Sequence, residues 1–139
     1  ETYVVAVFTL VGLDKIITSL GHDAAQEAIR RVGVYIDKHF GAVGGFSARN
    51  NTNEFVTVLP YSDQPEAADI LMDFIKDFRE HGIQEIWADA SKQAVSLECV
   101  EFTILAGLAE GQPIVEIDSV IESAKNQQIE IGRFRCAEE

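Results

Sequence analysis

The stretch RNNTNEF, residues 49–55, decides the fold of this chain. It lies between two strand-like runs, AVGGFSA at 42–48 and FVTVLP at 55–60. Asparagine and threonine bond to their own backbone and tolerate the conformations of tight turns. The residues alone therefore predict a β-hairpin whose tip is this polar stretch.

The composition of the 139 residues is that of one globular domain. The hydrophobic fraction is 47% and the charged fraction 24%, both ordinary for a folded domain. Acids outnumber bases by 23 to 11, and the net charge of −12 repels phosphates, which excludes nucleic acids and anionic membranes as partners. No apolar run approaches the ~20 residues that cross a bilayer, so we expect no direct membrane insertion of this domain.

Hydrophobic periodicity predicts the elements on either side of the hairpin. Residues 3–10 (YVVAVFTL) form a continuous apolar run, typical of a central strand buried on both faces. Two helices follow, of which the first ends at Gly21 and the second reaches Phe40. The later predicted elements are, in chain order, a helix at 66–80, strands at 83–89 and 93–106, a connection at 107–113, a helix over 114–124 and a strand at 129–136.

The predicted order of elements is β-α-α-β-β-α-β-β-α-β, which defines an α+β domain. An uninterrupted first strand, paired helices and a central hairpin favour a ferredoxin-like sandwich, with helices packed over a mixed central sheet. The sequence has no internal repeat, low-complexity tract or internal domain boundary. We therefore expect a single domain over residues 1–139.

Several motifs of the chain resemble those of the GGDEF (diguanylate cyclase) family. The hairpin stretch is similar to the family's signature loop RxGGDEF, of which Arg49, Glu54 and Phe55 remain. The other matches, in chain order, are GHDA at 21–24 with RRV at 30–32, FVTVLP at 55–60, TILAGLAEG at 103–111, Asp118 with Ala124 and Lys125, and GR at 132–133. The resemblance covers nearly the whole chain and implies the nucleotide-cyclase-like form of the sandwich.

The resemblance also implies that the metal and phosphate positions have changed. Diguanylate cyclases join two GTP molecules with divalent cations, which need carboxylate ligands. Thr9 and Asn53 stand at two of these carboxylate positions, and neither supplies the anionic charge that holds Mg²⁺. Asn51 and Thr52 replace the signature glycines and bring side chains into the space of the phosphates. Glu54 is the carboxylate that remains.

The positions that read the nucleotide in the family differ as well. Ile17 and Gln26 stand where the family has an asparagine and an aspartate that bind guanine, and Asp14 stands where it has a lysine. The inhibitory RxxD motif, which binds cyclic di-GMP, is replaced by AVGG at 42–45. The resemblance therefore implies a degenerate GGDEF-like domain without catalytic residues, metal or cofactor, and predicts that the domain is not an enzyme.

Histidines and cysteines give no sign of another metal site. His22, His39 and His81 lack metal-ligand spacing to one another or to the cysteines. Cys99 and Cys136 lie within or beside strand-like runs without CxxC spacing, which indicates reduced thiols in a cytosolic protein.

The resemblance implies a catalytically inactive module of a bacterial signal-transduction protein, with a regulatory role in cyclic di-GMP signalling. Its expected partners are neighbouring domains of the same polypeptide or a second copy in a homodimer. Its expected location is cytoplasmic, including the cytoplasmic part of a membrane-anchored protein. Because the chain begins at Glu1, in the lead-in to a strand, we expect a domain excised from a longer multidomain protein.

Three alternatives stay open. One is a receptor that binds GTP or another small ligand in the remodelled cleft, where the side chains at 50–53 donate and accept hydrogen bonds. Another is an active cyclase, which the replaced positions disfavour. The third is an unrelated ferredoxin-like domain whose motifs match the family by accident.

Overall fold

A computed structural model of the chain describes residues 1–83 and 101–135. The described strands are β1 (Tyr3–Val11), β2 (Phe46–Asn51), β3 (Glu54–Leu59), β4 (Glu101–Gly111) and β5 (Ile129–Arg135). The described helices are α1 (Leu13–Leu20), α2 (His22–Phe40), α3 (Gln64–Asp77) and α4 (Ile117–Asn126), with a 3-10 turn at Gly41–Val43 and a π-helical segment at Phe78–Gly82.

Some sequence predictions fall on residues outside these ranges. The predicted strand at 83–89 does so except for Ile83, whose backbone is helical rather than extended. Residues 93–100 of the next predicted strand, together with Cys99 and Cys136, also lie outside the described residues.

The five described strands form one sheet in the order β2-β3-β1-β4-β5. Each neighbouring pair is antiparallel, so the prediction of a mixed sheet is wrong for the described strands. Strand β2 follows β1 in the chain after two helices and points in the same direction as β1. The two strands are not neighbours, because β3 lies between them and is antiparallel to both. In the same way β4 separates β5 from β1. The α+β fold class is confirmed.

Strand β1 is buried on both faces, as its continuous apolar run predicts. Phe8 and Leu10 belong to the larger core, which α1, α2 and α3 cover. Val5 and Val7 point to the opposite face, where they pack with Val120 of α4 in a smaller cluster. The larger core is rich in aromatic rings, with the Phe78 and Phe134 centroids 5.0 Å apart at 85°.

Two boundaries differ from the sequence predictions for local reasons. Strand β2 begins at Phe46, because the preceding residues form the 3-10 turn and Gly44 has a left-handed φ of 89°. Strand β4 continues to Gly111, although 107–113 was predicted to be a connection, because Gly107–Gly111 pair with Tyr3–Val7. Gly107 is required there, since a Cβ atom would lie 1.9 Å from the Ala124 carbonyl oxygen.

The ends of α2 and α3 are joined through the carboxylate of Asp77. It accepts hydrogen bonds from Lys38 Nζ at 2.6 Å, His39 Nε2 at 2.7 Å and His81 Nδ1 at 3.0 Å. The hydrogen bond from Lys38, followed by that from His39, holds the pKa of Asp77 well below its usual range. The lowered pKa means that folding favours the charged carboxylate.

We expect Asp77→Asn to reduce the free energy of unfolding by about 1–2 kcal/mol near neutral pH. Because the pKa of Asp77 is lowered by folding, this stabilisation is present above the unfolded-state pKa of about 3.9 and is lost as the pH falls below it. Urea unfolding of the parent protein and of Asp77→Asn, at pH values above and below this pKa, measures the difference in their free energies of unfolding. Asp73→Asn, at an exposed position of the same helix, is the control. A difference that stays constant into acid would contradict this role of Asp77.

Candidate functional site

The tip of the β2–β3 hairpin, residues 50–53, is bonded directly to β1. The Leu10 N–H donates to the Asn53 carbonyl oxygen at 2.9 Å. The Asn53 Nδ2 atom donates to the Leu10 carbonyl oxygen, also at 2.9 Å. These bonds follow the last paired residues of the β1–β3 ladder, Thr9 and Glu54. The tip is therefore part of the sheet at its centre.

Arg49 closes the tip from the β2 side. Its Nε donates to the Asn51 carbonyl oxygen at 3.2 Å, and an Nη donates to the Thr52 carbonyl oxygen at 2.7 Å. The Asn51 Oδ1 accepts the Asn53 N–H at 3.2 Å, which is the side-chain turn that asparagine favours. Asn51 and Thr52 are exposed. The predicted hairpin is confirmed.

Glu54, the carboxylate that remains in the signature loop, points to the sheet face covered by α4. Its side chain is only 6% exposed. Its Oε1 accepts a hydrogen bond from Asn50 Nδ2 at 2.6 Å, and its Oε2 lies 3.4 Å from Lys125 Nζ. The negative charge of Glu54 is thus balanced by the lysine at the end of α4.

Thr9 lies opposite Glu54 on β1 and binds a different partner. Its Oγ1 accepts a hydrogen bond from Gln128 Nε2 at 2.8 Å, and the same Nε2 lies 3.1 Å from the Val7 carbonyl oxygen. Gln128 follows α4 just before β5 begins. We call Thr9, Asn50, Glu54, Lys125 and Gln128 the polar cluster; it ties β1 and the hairpin to the C-terminal end of α4.

A second feature, the α2 groove, lies on the other face of the hairpin. Its volume is about 450 Å³, and its lining includes Gln26, Arg49 and Phe55. Gly33 of α2 lets the ring of Phe55 pack beneath the helix, because a Cβ atom there would lie 3.0 Å from the ring. Phe55 is buried in the larger core.

The replaced family positions are therefore distributed over separate places. Thr9 and Glu54 meet in the polar cluster, whereas Gln26 lines the α2 groove. Ile17 packs against the larger core, and Asp14 is exposed in the first turn of α1. The sequence assigns no role to two members of the polar cluster, Lys125 and Gln128. Asn50 belongs to the stretch expected to bond to a ligand, and its side chain instead bonds to Glu54. Lys125 belongs to a motif that resembles the family, but no local pattern identifies Gln128.

The residues at the family's carboxylate positions do not fit a divalent cation. Thr9 and Asn53 have neutral side chains, and both are engaged within the fold, with Gln128 and Leu10. A single carboxylate, Glu54, is present, and Lys125 lies beside it. Within residues 1–83 and 101–135, no group of three or more His, Cys, Asp or Glu side chains is placed to hold a metal ion.

Comparison with known proteins found similar folds among solved structures. No protein-family model matches the chain, and no curated protein does. A GGDEF domain of DgcB from Caulobacter crescentus in complex with c-di-GMP is 24% identical, with a TM-score of 0.63 over 90% of this chain and 68% of that one. The active GGEEF domain of a diguanylate cyclase from Vibrio cholerae is 14% identical, with a TM-score of 0.70 over 91% and 73%.

A third match is the diguanylate cyclase SiaD from Pseudomonas aeruginosa, in complex with its activator SiaC. It is 18% identical, with a TM-score of 0.65 over 91% of this chain and 45% of SiaD. These likenesses confirm the GGDEF-like fold and the nucleotide-cyclase-like sandwich that the motifs imply. In the part of the chain that the structure describes, no helix is long and apolar enough to cross a membrane.

The prediction that the domain is not an enzyme is contradicted by these comparisons. The Vibrio cholerae domain is an active cyclase, and its fold matches 91% of this chain. That prediction was based only on the side chains that replace family residues, each considered at its own position. Those substitutions leave the backbone in the fold that the Vibrio cholerae domain has, and the described residues keep the hairpin and its pairing with β1.

The residues of the hairpin tip differ in their contacts, since the Asn53 side chain bonds to β1 whereas Thr52 is exposed. We expect Asn53→Ala to reduce the free energy of unfolding by about 1 kcal/mol, because the half-buried Leu10 carbonyl group loses its donor. Thr52→Ala, at the exposed neighbouring position, is the control and should stay within about 0.5 kcal/mol of the parent protein. Urea unfolding followed by circular dichroism measures both. Equal stabilities of the two variants would show that the Asn53 side chain contributes nothing.

Lys125→Met tests the ion pair in the polar cluster. The substitution keeps the apolar stem of the side chain but leaves the buried Glu54 carboxylate without its cation, so we expect a loss of about 1–2 kcal/mol of unfolding free energy. Lys15→Met, at an exposed position of α1, removes the same charge elsewhere. The two variants should differ in thermal midpoint. If they are equally stable, Glu54 does not depend on Lys125.

Proposed function

We propose that the chain is a regulatory GGDEF-fold module of a bacterial cyclic di-GMP signalling protein. In this proposal residues 1–139 form one cytoplasmic domain of a longer polypeptide. The domain transmits a signal by docking on neighbouring domains or by pairing with a second copy. The GGDEF-like fold supports the signalling context.

The observation that carries the docking role is the number of large apolar side chains left on the surface. Phe46, Tyr61, Met72 and Ile129 are each more than half exposed, in a chain whose net charge is −12. Such charge alone would keep a domain soluble and separate. Met72 and Ile129 line the same groove, and apolar side chains that are exposed together favour contact with other protein. SiaD, in complex with its activator, is an example of a matched protein that is regulated by a partner.

The cellular level of cyclic di-GMP tests this role in the intact signalling protein. We expect glutamate at one or more of the four exposed apolar positions to change that level at least about twofold, because a charge disrupts an apolar contact. Ser19→Glu, at an exposed polar position of α1, adds the same charge and should leave the level unchanged. If all four variants behave like Ser19→Glu, surface docking is not the function.

A second candidate function is supported by the α2 groove. A receptor for GTP or another small ligand would use the polar and aromatic groups that meet there, notably Gln26, Arg49 and Phe55. Saturating GTP with Mg²⁺ would then raise the thermal midpoint of the domain, because a ligand that binds only the folded state stabilises it. Gln26→Ala should abolish the rise, while Ser19→Ala should retain it. An unchanged midpoint in the parent protein argues against a GTP receptor.

A further inference from the structure

A groove between α3 and the edge strand β5 lies apart from the hairpin and the α2 groove. We call it the α3–β5 groove. Its volume is about 440 Å³, and β4 forms its floor. The side chains that line it are mainly apolar and include Leu71, Met72, Ile75, Leu108, Ile129 and Ile131.

Helix α3 contributes more apolar surface than its own packing requires. Ala67 and Phe74 are fully buried and attach the helix to the larger core. A second stripe, formed by Ala68, Leu71, Met72 and Ile75, lines the groove at the spacing i, i+3, i+4 and i+7. Met72, in the middle of this stripe, is 68% exposed.

The β5 wall of the groove favours the binding of a helix over the addition of a further β-strand. Ile129 at the start of β5 is 67% exposed toward the groove side of the molecule. Strand β5 carries three exposed charged residues, Glu130, Arg133 and Arg135, of which Glu130 also lines the groove. Charged residues on an edge strand oppose the addition of a further strand. Among the described residues, the apolar groove thus suits a partner better than the edge of β5 does.

The dimensions of the groove suit a short helix. Its α3 wall extends from Gln64 to Ile75, which is about 16 Å, or three helical turns, at 1.5 Å per residue. A helix of this length presents apolar anchors at i, i+3 or i+4, and i+7, the pattern by which helices bind apolar grooves. It would lie beside α3 and cover the part of β5 that α3 leaves open.

The charge of the residues around the groove determines which charge its partner should carry. On α3 the exposed acids Glu66, Asp69 and Asp73 outnumber one base, Lys76. On β5 the charges of Arg133 and Arg135 are balanced by ion pairs with Glu130 and Glu101. The whole chain carries a net charge of −12, which disfavours a second copy as the occupant of this groove. A helix flanked by lysine or arginine would be attracted.

We propose that the α3–β5 groove binds an amphipathic helix whose apolar stripe is flanked by basic residues. This inference rests on the proposed docking function and names its surface and the chemistry of the partner. The occupant adds a further helix to the sheet face that α1, α2 and α3 cover.

A synthetic peptide of about 14 residues, with leucines at helical spacing and lysines elsewhere, is the probe. We expect fluorescence anisotropy to show a Kd on the order of 10 µM for the parent protein. Met72→Glu should weaken binding at least about tenfold, because it places a charge in the apolar groove. Met72→Leu should retain binding. Circular dichroism should show that both variants are folded, since Met72 is largely exposed.

Val43→Glu is the matched control for charge. Val43 is 54% exposed in the 3-10 turn after α2, and the substitution adds the same charge as Met72→Glu. We expect it to leave the Kd unchanged. Equal weakening by the two glutamate variants, or equal binding of a peptide with the same residues in scrambled order, would overturn the proposal. In that case, an effect of Phe46→Glu or Tyr61→Glu on cellular cyclic di-GMP would still support docking at another surface.

Discussion

The burial of β1 on both faces is the constraint on which the rest of this fold depends. Val4 through Phe8 are fully buried, so no water can satisfy their backbone N–H and C=O groups. Strands on both sides must therefore supply those partners, and β3 and β4 do so. The same burial requires apolar cover above and below, which α1–α3 provide on one face and α4 on the other.

The position of the hairpin tip beside β1 determines which helices its side chains contact. Because side chains alternate along β3, Glu54 points toward α4 while Phe55 points toward α2. The carboxylate is buried beside Lys125, and the aromatic ring packs beneath Gly33. Two neighbouring residues of the signature loop thus connect the hairpin to opposite helix layers. The loop is a point of attachment between layers as well as a turn.

Much of the fold could be predicted because its signals are local. The apolar run of β1, the glycine that ends α1 and the polar turn of the hairpin each lie within a few residues. The polar cluster could not be predicted, since Gln128 lies 119 positions from Thr9. Strand β4 was predicted too short because glycine suggests a loop, whereas Gly107 permits a close approach of α4. From the sequence, Thr9 and Asn53 are interpreted as replacements of metal ligands. In the structure both side chains form hydrogen bonds to other parts of the fold, to Gln128 and to Leu10.

Native-state hydrogen exchange at the amide of Leu10 tests most directly whether the hairpin tip belongs to the central ladder. This N–H donates to the Asn53 carbonyl oxygen across the end of the ladder. If the tip is part of the sheet, the Leu10 amide exchanges only through openings nearly as costly as global unfolding, like the amides of buried β1 residues. The exposed Thr52 provides a reference within the tip. A Leu10 amide that exchanges as fast as a freely fraying loop would contradict the account.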